Sequence, residues 1–164
     1  PLGATVVTDI IAEHFNEKHL TIGLAYSAHA VGCAAALENI RIMQSEDLIE
    51  NSASKGLYLD KKMEALISQH PSIGDFRNTG LLGCIELVKN RKTKEQLIPW
   101  NAKGAEGAIG AKIAGKLKEL GMFTFVKWNF IFLAPPLNIT EEQIDEGLEI
   151  ISKALEIADQ YYEK

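Results

Sequence analysis

The chain has 164 residues, with 17 Lys and Arg against 22 Asp and Glu, a formal net charge of -5, and the two signs are interspersed through its polar stretches. That length suffices for one domain burying roughly 70% of the surface its unfolded form exposes, and that charge pattern argues against a nucleic-acid binder. No apolar run approaches the ~20 residues of a membrane span, and the first residues lack the basic flank and apolar centre of a signal peptide, so a soluble cytoplasmic protein with no membrane partner is expected.

Taken in chain order, residues 4–8 (ATVVT) suggest a short strand, after which Asp9 is placed to cap a helix reaching His14 or Phe15. A loop follows. The stretch AHAVGCAAALENIRIM is helical by composition but apolar nearly all round, so it predicts an enclosed helix. Ser45 is positioned to cap a further helix to about His70, with Ile49, Ala53, Gly56, Met63 and Leu66 at roughly helical spacing and Pro71 closing it. A turn at Asn78 to Gly80 then separates a short extended piece from LLGCIELV, a covered strand with Glu86 as its one charged interior position. Residues 90–104 suggest a long loop, followed by a helix from about Ala105 to Leu120 ended by Gly121. MFTFV and NFIFLA are two further strand candidates, the second stopped by Pro135 and Pro136. Thr140 and Gln143 form a capping box, and Ile144, Leu148, Ile151, Leu155, Ala158 and Tyr162 draw one helical stripe fit to cover a sheet.

The fold class expected is therefore α/β in alternation, resolved over the second two-thirds into an α+β layer: a small, mostly antiparallel sheet of three or four strands with its helices on one face. The first third has no place in that layer, and its strand and enclosed helix call for protein beyond this chain. Cys33 and Cys84 are expected to be buried thiols, and the scattered His14, His19, His29 and His70 show no metal-ligand spacing, so no metal is expected.

Few motifs carry chemistry. GAEGAIGAK lacks both phosphate-loop patterns, and the Asn138 sequon loses its threonine to the helix cap. Arg77 stands alone as a guanidinium in an apolar stretch; position leaves open a structural ion pair with Glu86, the commoner case, and a planar clamp for a substrate carboxylate. AYSAHA places small residues and Ser27 just before a helix N-terminus, where free amides favour an anion, beside the plainer role of Ser27 as an ordinary N-cap.

PLGATVVTDIIAEHF, YSAHAVGCAAALENI, DFRNTGLLGCIELVKNRKT and IFLAPPLNITEEQIDEGL occur in that order. Together they resemble the C-terminal part of a class III aminotransferase over essentially the whole chain, and the stretches around Trp100 and Trp128 are similar to the taurine-pyruvate-like and other omega-type branches. The resemblance implies the fold-type I architecture, pyridoxal 5'-phosphate as cofactor, and a homodimer with active sites built across its interface. It further implies residues 1–35 as the tail of the large cofactor-binding domain with a dimer-interface segment, and 36–164 as the C-terminal small domain. The family's Schiff-base lysine lies a few residues before the PLGA phrase, so the chain is expected to be a middle-to-end fragment, inactive alone, with no catalytic residue of its own. Arg77 in RNTGL matches the arginine that binds a substrate carboxylate in ornithine and 4-aminobutyrate aminotransferases, with Asn78 where those have glycine. Ala25, Tyr26 and Ser27 match the cofactor-phosphate stretch, where Ala25 replaces a threonine and its hydroxyl contact is lost or passed to Ser27. Phe125 stands where several relatives carry a mobile arginine, with Lys127 nearby as a substitute cation.

The implied reaction moves an amino group between an amine or amino acid and a keto acid. A same-fold aminomutase, or a non-catalytic interaction or oligomerisation module, remains an alternative.

Overall fold

A computed structural model describes residues 2–164; Pro1, the first residue of the PLGA phrase, lies outside them. The chain divides into two compact units, one ending at Glu46 and one running Asp47–Lys164.

The first unit holds α1 (Asp9–Glu17) and α2 (Ala30–Ser45), and neither helix contains a buried residue. The expected strand at residues 4–8 is absent among the described residues: a strand exists only as a rung of a ladder, and none is present there. Asp9 is the first residue of α1 and not its cap; Thr8 holds the cap position without a side-chain bond. The apolar circumference of α2 is uncovered, so the expectation of an enclosed helix fails for this chain, and Cys33 on it is exposed rather than buried.

The second unit opens with α3 (Leu48–Gln69). Ser45 does not cap it; that serine ends α2, its hydroxyl donating to Ile42 O, and Asp47 makes the break with a left-handed φ of 49°. Next come β1 (Ile73–Thr79) and β2 (Leu82–Asn90), joined by a two-residue turn at Gly80 and Leu81, one step later than the sequence suggested. Gly80 takes φ +56°, a conformation open to glycine without cost. Residues 90–104 are not all loop: β3 (Glu95–Gln96) folds back on β2, and Leu97 and Ile98 behind it are buried. The helix α4 (Ala108–Glu119) precedes β4 (Val126–Lys127) and β5 (Phe130–Leu133). Of MFTFV only Val126 joins a strand, pairing with Ile131 of β5. The chain closes with α5 (Glu141–Asp159), capped by the predicted Thr140–Gln143 box.

The sheet runs β1-β2-β5-β4, with β3 beside β2, and every pairing is antiparallel. Alternation along the strands turns Ile73, Ile85, Leu87, Ile131 and Leu133 inward, against Leu59, Met63 and Leu66 of α3, Ile113 and Leu117 of α4, and the Ile144–Ala158 stripe of α5. Helices therefore cover one face, as expected for the α+β layer. The partner rows of that alternation, Arg77–Cys84–Phe132 and Asp75–Glu86–Phe130–Lys127, lie on the other face. Cys84 in the first row is half-buried, correcting the second buried thiol.

Two contacts hold the β1–β2 turn on α3. Asn78 Nδ2 donates to Gly56 O at 3.2 Å and to Gly80 O at 3.0 Å, and Leu81 N donates to Ser52 Oγ at 3.3 Å. Asn78, the departure from the family's glycine, thus ties helix to hairpin. Arg91 closes the other end of α3, its guanidinium donating to the carbonyls of Ile67 and His70 and to Ile73 O.

Candidate functional site

On the uncovered face of the sheet, strand alternation sets Arg77, Asp75, Glu86 and Lys127 on a rigid scaffold. Arg77 projects from β1, directly across from Cys84, and is two-thirds exposed. Its Nη2 donates to Glu86 Oε2 at 3.1 Å, and its Nε lies 3.1 Å from Asp75 Oδ2. Asp75 precedes Arg77 by two residues, and a strand repeats its face every two. Nη1 has no partner among the described residues, so the end of the guanidinium fork is open. The ion pair with Glu86 anticipated from position is therefore present, and it leaves part of the arginine available.

Glu86 is held from behind. Its Oε1 accepts from Asn129 Nδ2 at 3.3 Å, and Asn129, at 1% exposure, sits in the turn before β5 with its backbone oxygen accepting from Leu87 N. Asn129 Oδ1 has no partner, yet the amide cannot flip without turning that oxygen on the Glu86 carboxylate. Between these groups Cys84 has its thiol pushed up by burial, opposed by the Arg77 charge. Along the same rungs Phe132 and Phe130 form an apolar floor, with Phe125 packed on Phe132 at 5.4 Å between ring centroids. Lys127 lies 5.0 Å above the Trp128 ring, and Trp128 packs against Trp100 with ring centroids 3.8 Å apart and planes tilted by 43°. An apolar cleft of about 280 Å³ elsewhere in the unit, between α3, α5 and the Leu133–Pro136 segment, has no titratable side chain lining it.

Ala25, Tyr26 and Ser27 lie in the first unit, in a turn that leads into α2, and all three are exposed. Ser27 N donates to Leu24 O and His29 N to Tyr26 O; Ala28 takes φ 54°. No side chain caps α2, and its first amide bond is Cys33 N to His29 O. The amides of Ala30, Val31 and Gly32 consequently have no partner among the described residues, which is the arrangement that suits an oxyanion. Ser27 is not an N-cap. Ala25 offers no side-chain donor. No group of three or more His, Cys, Asp or Glu among the described residues could hold a metal.

Asp75 and Asn129 escaped sequence reasoning. The first was marked by its i, i+2 spacing to Arg77; the second had no signal, because only the β4–β5 turn brings it to Glu86.

Residues 1–155 match the aminotransferase class-III family. The chain belongs to the class-III aminotransferases. It is 34% identical to putrescine–pyruvate aminotransferase of Pseudomonas aeruginosa, over 95% of this chain and 33% of that protein, and 34% identical to taurine–pyruvate aminotransferase of Bilophila wadsworthia, over 99% and 37%. Its fold matches the structure of taurine:2-oxoglutarate aminotransferase from Bifidobacterium kashiwanohense in complex with PLP and glutamate, with a TM-score of 0.85 and 30% identity over 94% of this chain and 34% of that one. The fold is thus that of part of a fold-type I aminotransferase. The chain spans about a third of the length of the relatives it matches.

Proposed function

We propose that this chain supplies the acid-substrate receptor and part of the cofactor-phosphate seat of a pyridoxal-phosphate transaminase that moves an amino group between an amine or amino acid and a keto acid. The observation that carries it is the open fork of Arg77 on the uncovered sheet face. A guanidinium held on one edge by Asp75 and Glu86 is already oriented, so a carboxylate arriving at its free end meets a fixed donor pair.

The residues present fit the cofactor at its phosphate. Three free amides at the start of α2, the Ser27 hydroxyl and the helix dipole would hold a dianion, while Ala25 contributes only space and Tyr26 an exposed ring against His29. Pyridoxal phosphate supplies an electron sink when bound. No lysine of this chain is given the Schiff-base role.

Charge balance shapes the acid site. Asp75 and Glu86 outnumber Arg77, so a substrate carboxylate would be a third anion. A charged hydrogen bond from the open end of Arg77 is worth ~1.5–3 kcal/mol, against ~0–1 for the exposed pairs it competes with. Repulsion from Asp75 and Glu86 opposes the acid, so it is bound best where it displaces one of them from the guanidinium.

The parent is taken as a homodimer, supported by the apolar, unburied helices of the first unit, with residues 1–35 as the tail of the large domain and 36–164 as the small domain. A cytoplasmic location suits the free thiols Cys33 and Cys84; no helix among the described residues is long and apolar enough to cross a membrane. The test is amino transfer by the protein of the full reading frame that encodes this chain. R77A should raise KM for keto-acid acceptors about 10-fold or more while leaving a carboxylate-free amine donor little affected. An unchanged acceptor KM would reduce Arg77 to a structural ion pair, and product analysis separates transfer from intramolecular amino migration.

A further inference from the structure

Where the C-terminus of α3 meets the last turns of α5, the second unit assembles a group of side chains that amino transfer does not use. His70 is buried, at 6% exposure. Its Nδ1 lies 2.7 Å from Asp159 Oδ2 and its Nε2 lies 2.7 Å from Ser152 Oγ. The second Asp159 oxygen accepts from Ser72 N at 3.2 Å and from Ser72 Oγ at 2.6 Å.

Proton positions follow from the partners. An ionised carboxylate only accepts, so in the neutral imidazole Nδ1 carries the hydrogen toward Asp159 and Nε2 presents its lone pair to the Ser152 hydroxyl. Serine, imidazole and carboxylate stand in the order in which the base takes the hydroxyl proton and the acid fixes the base's tautomer. The two bonds from Ser72 hold the acid in turn.

Ser152 is half-buried and opens on a groove of about 270 Å³, with Ala65, Leu66 and Leu148 as apolar lining and Gln69, Glu149 and the Lys62–Asp145 pair at its polar side. Of the bases on or beside this groove, His70 is the one bonded to the hydroxyl, at 2.7 Å.

The geometry points to Ser152 as an activated nucleophile and a covalent acylation site for small apolar acyl esters. As the Oγ–C bond forms at the ester carbonyl, the hydroxyl proton passes to His70 Nε2. The C–O bond to the alcohol then breaks, and the alcohol leaves with that proton. An acyl group has moved to Ser152, one alcohol is released, and no oxidant or reductant takes part. Ser152 lies inside α5, so its own amide is engaged in the helix ladder and does not cradle the oxyanion; both acylation and deacylation are slowed by this, which confines the first step to activated esters and leaves the acyl group on Ser152 without turnover.

The test treats the 164-residue chain, its free thiols Cys33 and Cys84 first alkylated with iodoacetamide so that they release no p-nitrophenolate, with p-nitrophenyl acetate, and separately with an alkyl fluorophosphonate, in which the Oγ–P bond forms as fluoride leaves. Intact mass and peptide mapping follow. One equivalent of p-nitrophenolate and a single phosphonyl adduct at Ser152 are expected, the adduct forming about 100-fold faster than on Ser68, an exposed serine of α3 whose hydroxyl meets only Ala65 O. S152A, which substitutes a good helix former, should abolish both, and D159N should slow the adduct by a similar factor. If D159N does not fold, the Ser152-to-Ser68 rate ratio in the wild-type chain decides alone. A burst that survives S152A, a folded D159N that reacts at the wild-type rate, or phosphonylation at Ser152 no faster than at Ser68 would overturn the assignment.

Discussion

Replacing Gly56 by Ala tests how the carboxylate receptor is seated. Gly56 is buried in α3 where the β1–β2 turn rests on it, and a Cβ there would lie 2.6 Å from Gly80 Cα, 2.6 Å from Gly80 O and 2.7 Å from Gly80 C. Ordinary carbon contacts begin near 3.5 Å, so the methyl intrudes by about 1 Å on backbone that has no rotamer with which to yield. Overpacking of this kind costs about 1–3 kcal/mol. If the turn lifts to relieve it, the Asn78 bond to Gly56 O and the Leu81 bond to Ser52 are lost, at about 1 kcal/mol each. Against this stands the helix-propensity gain of Ala over Gly, about 1 kcal/mol. Whether the clash is kept or is relieved at the expense of the two bonds, the balance is a loss of about 1 kcal/mol, read as a fall in the urea midpoint at unchanged slope. Gly115→Ala in α4 is the control: nothing lies within 4 Å of its Cβ, so propensity acts alone and the chain should gain up to about 1 kcal/mol. A G56A chain as stable as wild type would mean that the hairpin does not rest on α3, and the placement of Arg77 would lose its support.

Arg77→Ala should leave folding stability within about 1 kcal/mol of wild type, because both of its ion pairs are exposed; a larger loss in denaturant titration would mark a structural role. Thr140→Ala removes the hydroxyl that accepts from Gln143 N at 3.3 Å and should cost about 1 kcal/mol by the same titration. The Lys62 bond holds the Asp145 carboxyl below its ordinary 3.8, so its contribution is present above that value and is lost as pH falls through the lower folded value. Tyr58 and Asp145 hold the Lys62 ammonium above its ordinary 10.5, so its contribution is present below 10.5 and is lost only at still higher pH. D145N should therefore flatten the acid limb of a stability–pH profile without shifting the stability of the fully protonated state; an unchanged acid limb would show that the bond does not survive in solution.

Much of the second unit could be read from its residues. The Thr140 cap and the Ile144–Ala158 stripe of α5 rest on local spacing, and both stand where expected. Strand lengths were less legible. MFTFV has the composition of a strand, yet only its Val126 lies in one, with a further backbone bond from Phe132 N to Phe125 O, and residues 95–96 became a strand because β2 offered them an edge. Composition describes what a segment tolerates; pairing depends on what lies beside it. In the first unit, ATVVT has no ladder and the apolar turns of α2 no cover, so propensity there had nothing to act against.

The sequence by itself determined the family, the inward stripe of α5, the buried Gly56, Met63 and Leu66 of α3 though not Ile49 and Ala53, which are exposed, and the presence of Arg77, since these follow from residue type and spacing of a few positions. Only the tertiary structure decided that Asp75 and Glu86 grip one edge of Arg77, that a buried Asn129 supports Glu86, and that His70 lies between Asp159 and Ser152. Those partners are separated by up to 89 residues. Hydrogen bonds and ion pairs act over a few ångströms of space, and separation along a chain says nothing of distance until strand register and helix packing have set it.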